Sequence, residues 1–196
     1  MADPTTTVEA FSLTHAQILD GTTAFSAVAT NDRSWGDIYG IEEGNLDPDM
    51  DSYDNLGDDA VMSTWEWLNK AELSVRAGYL SFPTIAQLTG RTISSSGSAA
   101  TLTFGLDLWH EDSFNVQPRP VILRMPSRDS NGLVRTLDIG LYKVSFKPIT
   151  FEGPKYKDGL KVNFGGQALM SPVDELGQAF ADGKRRVGKL ISRPLA

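Results

Sequence analysis

The sequence predicts a mainly β fold: a β-sandwich or partly closed barrel with one packed short helix, a long acidic loop and extended N- and C-terminal arms. Three observations lead there. Apolar and polar residues alternate with a period of two in several segments, turn-forming residues separate those segments, and a paired start and stop signal for a helix occurs in one stretch above all.

The elements follow in chain order. Residues 1–10, "MADPTTTVEA", read as an N-terminal arm. Residues 37–59, "DIYGIEEGNLDPDMDSYDNLGDD", carry nine carboxylates and no lysine or arginine, and like charges this dense resist compaction. They are expected to form an acidic loop inserted between the first strands and the sheet, since irregular segments longer than about 12–15 residues are usually functional or disordered. In "VMSTWEWLNKAELSVRAGYLS" the residues Val61, Trp65, Trp67, Leu73, Val75, Ala77 and Tyr79 alternate with Thr64, Glu66, Glu72, Ser74 and Arg76. This predicts a hairpin turning near Asn69 and Lys70, with one apolar and one polar face.

"FPTIAQLTG" has Pro83 in a first turn, Ile85 and Leu88 three apart and Gly90 as a stop, which predicts a helix of about two turns. "TLTFGLDLW" alternates again, with Leu102, Phe104, Leu106 and Leu108 on one face. "RPVILRM" is a short strand and "SRDSNGL" a turn. In "LVRTLDIGLYKVSF" the apolar phase switches from Leu137, Ile139 and Leu141 to Tyr142, Val144 and Phe146, predicting a bulge or bend around Gly140 and Leu141. "GLKVNFGGQALM" reads as a further strand, "SPVDELGQAF" as a second short helix, and residues 178–196 as a basic C-terminal arm.

Composition bounds what such a chain can do. Its 196 residues, 40% hydrophobic and 22% charged, suit one globular domain with arms and an insertion. It contains no cysteine, which removes disulfides and thiolate zinc sites. No basic, apolar leader or run of about 20 apolar residues is seen, so a soluble chain made in the cytoplasm, without a membrane partner, is expected. The net charge of −7 conceals a dipole: residues 1–75 hold 15 acids against 2 bases and residues 76–196 hold 10 acids against 16 bases. Acidic and basic ends of that kind can steer copies together head to tail, or can simply keep loops solvated.

The sequence offers little for catalysis. Asp47, Asp49 and Asp51 fit the first positions of a calcium loop, but Ser52 replaces its glycine and Asp58 its final glutamate, so no metal site is expected. Gly183 to Lys189 has phosphate-loop spacing, yet Leu190 stands where Ser or Thr must bind magnesium, and nucleotide binding is rejected. His15 and His110 are the two histidines; His110 sits beside Glu111 and Asp112, but neighbours on a strand point to opposite faces. No catalytic residue, cofactor or enzyme activity is expected.

The run "DGLKVNFGGQALMSPVDELGQAFADGKRRVGKLI" resembles the end of the major tail proteins, or tail tube proteins, of long-tailed phages, most like those infecting actinobacteria. It shows a strand, then Ser171, Asp174, Glu175 and Gly177 in a turn, then a basic "VGKL" arm. "FPTIAQLTG" is similar to that family's single packed helix, and the acidic segment to its stacking loop; the likeness runs from about Trp35 onward.

The resemblance implies a structural protein of the virion, made in the host cytoplasm, that partners itself. Hexameric rings would stack into a tube meeting the tape measure, tail terminator and distal tail proteins, with double-stranded DNA passing through the lumen without sequence-specific binding. Lumen-facing residues would be Thr64, Glu66, Glu72, Ser74 and Arg76, with Arg76 paired to Glu66 or Glu72 so that it does not grip phosphate. Contacts between copies would use the acids, Asp47, Asp49 and Asp51 among them, meeting Lys184, Arg185, Arg186 and Lys189; the alternative is apolar stacking by Ile38, Tyr39, Ile41, Leu46 and Tyr53, with the acids keeping unassembled subunits soluble. The competing expectation is a monomeric β-sandwich binding module for a carbohydrate or protein ligand, using exposed tryptophans.

Overall fold

The computed structural model describes residues 8–10, 13–28, 37–57, 60–98, 102–106, 116–129, 132–152 and 161–194. Mainly β structure is what it shows. The strands are β1 (Val8–Ala10), β2 (His15–Ile18), β3 (Asp37–Gly57), β4 (Ala60–Leu80), β5 (Ser94–Ser96), β6 (Thr103–Gly105), β7 (Arg119–Asp129), β8 (Val134–Phe146), β9 (Thr150–Glu152), β10 (Lys161–Leu169) and β11 (Gly188–Pro194). A 3-10 turn at Phe25–Ala27 and helix α1 (Phe82–Thr89) complete them.

Nine strands form one antiparallel sheet, and β5 and β6 pair separately. The pairings run β7, β2, β3, β4, β10, β8 and return to β7, with β1 added on β7, β9 on β10 and β11 on β8. The seams are thin where β2 meets β3, at Ala16↔Ile38 and Gln17↔Asp37, and where β10 meets β8, at Gly166–Ala168. One sheet curling toward closure therefore takes the place of two facing sheets.

The core lies inside that curl. Ala16, Ile38, Leu73, Val75, Val121, Leu141, Val144, Val162 and Phe164 are buried together, with Leu88 of α1 and Val116 packed among them. Burying each large apolar side chain stabilises the fold by about 1.5–3 kcal/mol. The helix forms as its sequence signals dictate: Ser81 caps it by accepting a hydrogen bond from the Thr84 amide, and Gly90 ends it in the left-handed conformation, φ 67°.

A second apolar cluster covers the other face of β7 and β8. Leu19, Phe25, Val28, Ile122 and Tyr142 are buried there, with the Tyr142 ring 5.7 Å from Phe25 and 5.1 Å from Phe180. Gly140 makes the arrangement possible, because a Cβ at that position would stand 2.4 Å from the Phe25 ring. The predicted change of phase in β8 is present as a register shift between Arg119↔Val144 and Val121↔Leu141. Burial accordingly passes from alternate residues to the run Gly140–Tyr142.

Charge is buried beside this cluster. Asp138, fully buried, accepts hydrogen bonds from Arg124 Nε at 2.9 Å and Nη2 at 3.3 Å, and from Arg193. Arg193 also donates to the carbonyls of Ser26 and Val28, so one side chain ties β11 to β8 and to the segment over Phe25.

Six expectations are corrected. No hairpin turns at Asn69: β4 runs unbroken from Ala60 to Leu80, and Asn69 is accommodated as a bulge between Asp49↔Lys70 and Met50↔Leu68. Residues 37–57 of the acidic segment are not a loop but strand β3, paired with β4 because Leu46, Pro48 and Ile41 supply an apolar phase against Leu73, Ala71 and Ala77. "SPVDELGQAF" is not helical, since the Asp174 carboxylate accepts from the Leu176 and Gln178 amides and closes a tight turn instead. Finally, the C-terminal arm is part of the sheet, with Gly188–Pro194 paired to β8. At the other end, Val8–Ala10 pairs with β7, and Leu102, expected inward, is 45% exposed.

Candidate assembly surface

Strands β3 and β4 outrun the sheet that supports them. The ladder between β4 and β10 ends at Lys70↔Leu169, and that between β3 and β2 reaches no further than Ile38. Beyond these points β3 and β4 pair with each other alone among the described residues, to Gly57↔Ala60. From Ala60 to Asn69, at about 3.3 Å per residue, the ribbon projects roughly 30 Å.

Two bulges set which residues share a face. The shift between Ile41 and Glu43 returns Ile41 to the buried phase and leaves Glu42 near Arg76, at 3.6 Å, and Lys161, at 2.9 Å. The shift at Asn69 does the same for Leu68, which stays in phase with Ala71, Pro48 and Leu46. Its consequence is that positions 64 and 66 follow the phase of Leu68, whereas 65 and 67 follow that of Lys70 and Glu72. Thr64 and Glu66 therefore do not share a register phase with Glu72, Ser74 and Arg76, nor do Trp65 and Trp67 with Leu73 and Val75. The side chains of Thr64, Glu66, Trp65, Trp67, Tyr39 and Tyr53 lie outside the described residues.

Where β3, β4 and β10 run side by side, alternation holds: Ala71, Leu73, Val75 and Ala77 are buried, while Glu72 and Ser74 are exposed. Arg76 is half-buried and pairs with neither Glu66 nor Glu72 in any described contact. It binds Glu152 at 2.5 Å and faces Glu42, and Asn163 donates to the other Glu152 oxygen at 2.9 Å. Glu72 instead meets Lys147 at 3.4 Å and Gln167 at 3.5 Å. The hydrogen bond from Lys147 and its charge, with Gln167 adding, hold the Glu72 carboxyl below its ordinary value of 4.5. Asp47 stands opposite Glu72 in register, an unfavourable pairing of like charges that Asn45 moderates by donating to Asp47 at 2.7 Å. Asn45, Asp47, Glu72, Ser74, Lys147 and Asn163 border a cleft of about 310 Å³.

A second feature opens where β10 leaves the sheet. There β4 continues with β3 and β11 continues along β8, and between them lies an apolar groove of about 520 Å³. Leu46, Pro48 and Leu68 form one wall and Ile139, Leu141 and Leu190 the other. Leu190 is 68% exposed and Met50, next along the ribbon, 50%.

The remaining residues expected at contacts divide unevenly. Ile38 is fully buried in its own core, which removes it from contacts between copies. Ile41 and Leu46 are half-buried against that core, and Asp47, Asp49 and Asp51 are exposed, Asp49 lying 3.6 Å from Lys70. Arg186 pairs with Asp182 at 2.7 Å and lies over the Phe180 ring; Lys189 reaches the buried Glu175 at 2.8 Å and lies over Phe25. Lys184 and Arg185 are exposed without an ion pair among the described residues. Sequence reasoning missed Glu42, Lys147, Glu152 and Lys161, whose partners lie far away in the chain, and Leu190, which was weighed only as a departure from a phosphate loop.

Among the described residues no group of three acidic or histidine side chains is placed to hold a metal ion. Asp47, Asp49 and Asp51 lie on an extended strand, which cannot wrap a calcium ion as a loop does. No described helix is long and apolar enough to cross a membrane. A scan against protein-family models finds no match to the chain, and a search of curated proteins finds none either.

Proposed function

We propose that this protein is a self-assembling structural subunit, a tail tube protein whose rings stack into a conduit for phage DNA. The observation that carries the reading is the β3/β4 ribbon. Two strands alone are marginal in water, and the ribbon carries open edges that invite pairing. Its acids and the exposed Lys184 and Arg185 sit at different ends of the sequence, so copies can meet with complementary charge.

In this reading the polar face of β4 and β10 lines the channel, with Glu72, Ser74 and the neutralised Arg76 on it. Glu42 and Glu152 against Arg76, and Glu72 against Lys147, leave little net positive charge to retain DNA. The virion, the host cytoplasm before assembly, and the tape measure, terminator and distal tail partners belong to the same proposal, which assigns no cofactor or catalysis.

One observation favours the binding-module alternative: Trp65 and Trp67 share the register phase of exposed Glu72. Negative-stain electron microscopy at high concentration, with sedimentation, separates the two. Stacked rings or tubes with a central channel are expected. A monomer at every concentration that binds a glycan saturably would overturn the tube reading.

A further inference from the structure

The geometry points to the apolar groove between β11 and the β3/β4 wall as the receptor for the distal β3/β4 ribbon of a second copy. This rests on the assembly reading and names the surface that assembly would use.

The groove is a product of topology. Strand β10 separates β4 from β8 through its ladder, but that ladder ends at Leu169↔Lys70, and the chain then turns away to bridge Ser171 with Arg186. Past that point no strand among the described residues occupies the space between β4 and β11. Each bounding strand is paired on one side alone there, β4 with β3 and β11 with β8. A strand entering the gap meets an apolar floor flanked by two strand edges that pair with no further strand among the described residues, the arrangement on which strand addition depends.

The ribbon is the occupant that fits. It is already extended, and its register puts Tyr53, Trp65 and Trp67 of the sequence in one phase. It cannot fill its own groove, because Leu46, Pro48, Leu68 and Ala71 of the same two strands build the groove wall and the ribbon leads away from it. Charge selects the same partner. Residues 51–67 hold five acids and no base, while the segment entering β11 presents exposed Lys184 and Arg185. Ribbon into groove joins two different surfaces, so the contact repeats from copy to copy and closes into a ring or continues as a fibre.

The test uses the full chain, which has no native cysteine. Ser52→Cys places one thiol on the ribbon and Leu190→Cys one on the groove, both at exposed positions. Equimolar mixtures treated with a short bismaleimide under assembly conditions are expected to give mainly the mixed dimer. Leu190→Glu, at a site too exposed to matter for folding, should raise the concentration needed for assembly by about tenfold or more while leaving the melting temperature unchanged. Assemblies in which the mixed dimer is no more abundant than the two homodimers, or in which Leu190→Glu assembles as the parent does, overturn the groove while leaving the assembly reading intact. A chain that stays monomeric throughout overturns both.

Discussion

Strands β3 and β4 are two molecules' worth of physics in one ribbon. Near Leu73 and Val75 they are bedded: β10 satisfies one edge, the core takes one face, and a network of Glu42, Arg76, Glu152 and Lys161 holds the other. Past the bulge at Asn69 the same strands continue with no third strand beside them among the described residues. The pairing pattern is the same in both halves, so pairing alone cannot explain why both persist. The bedded half is stabilised by burial within the chain, and in the proposed assembly the distal half would draw its stability from another copy.

The largest effect should come from separating the halves. Replacing residues 51–67 with a two-residue Asn-Gly turn should abolish assembly in sedimentation while leaving thermal unfolding of the monomer within a few degrees of the parent. A collapse of the monomer's stability would show that the distal half supports the core.

Next comes the buried charge that ties β7, β8 and β11 together. Asp138→Ala leaves Arg124 and Arg193 without their buried counter-charge, and removing one partner of a buried ion pair costs about 3–5 kcal/mol. Urea unfolding should show that loss, and a change below about 1 kcal/mol would mean the arginines find other partners.

The smallest effect concerns protonation on the polar face. Because the folded Glu72 carboxyl titrates below its ordinary value of 4.5, its contribution is present above that value and is lost as pH falls through the folded pKa. Carboxyl titration by NMR should place its midpoint below an ordinary glutamate's, and Lys147→Ala should move it upward. An unchanged midpoint in that variant would leave Lys147 without the role given to it.

Much of the bedded half was legible in the sequence. The alternation from Glu72 to Ala77, the helix from Phe82 to Thr89 and the phase change at Gly140 follow from local periodicity and caps, and the structure bears them out. The distal half was not legible, for physical reasons. Asn69-Lys70 has the composition of a turn, and nothing local reveals that the facing strand will absorb Asn69 as a bulge. The acids of β3 hide a strand whose apolar phase is interrupted at Glu42 and completed by residues about 30 positions away. Segment 171–180 looked helical until the Asp174 carboxylate took the amides a helix would have used.

Hydrogen–deuterium exchange on the full chain, measured at a series of concentrations, addresses the contrast between the halves most directly. Amides of residues 71–77 should be protected at every concentration, and those of residues 60–68 should exchange rapidly when dilute and become protected as copies associate. Equal, concentration-independent protection of the two stretches would contradict the account.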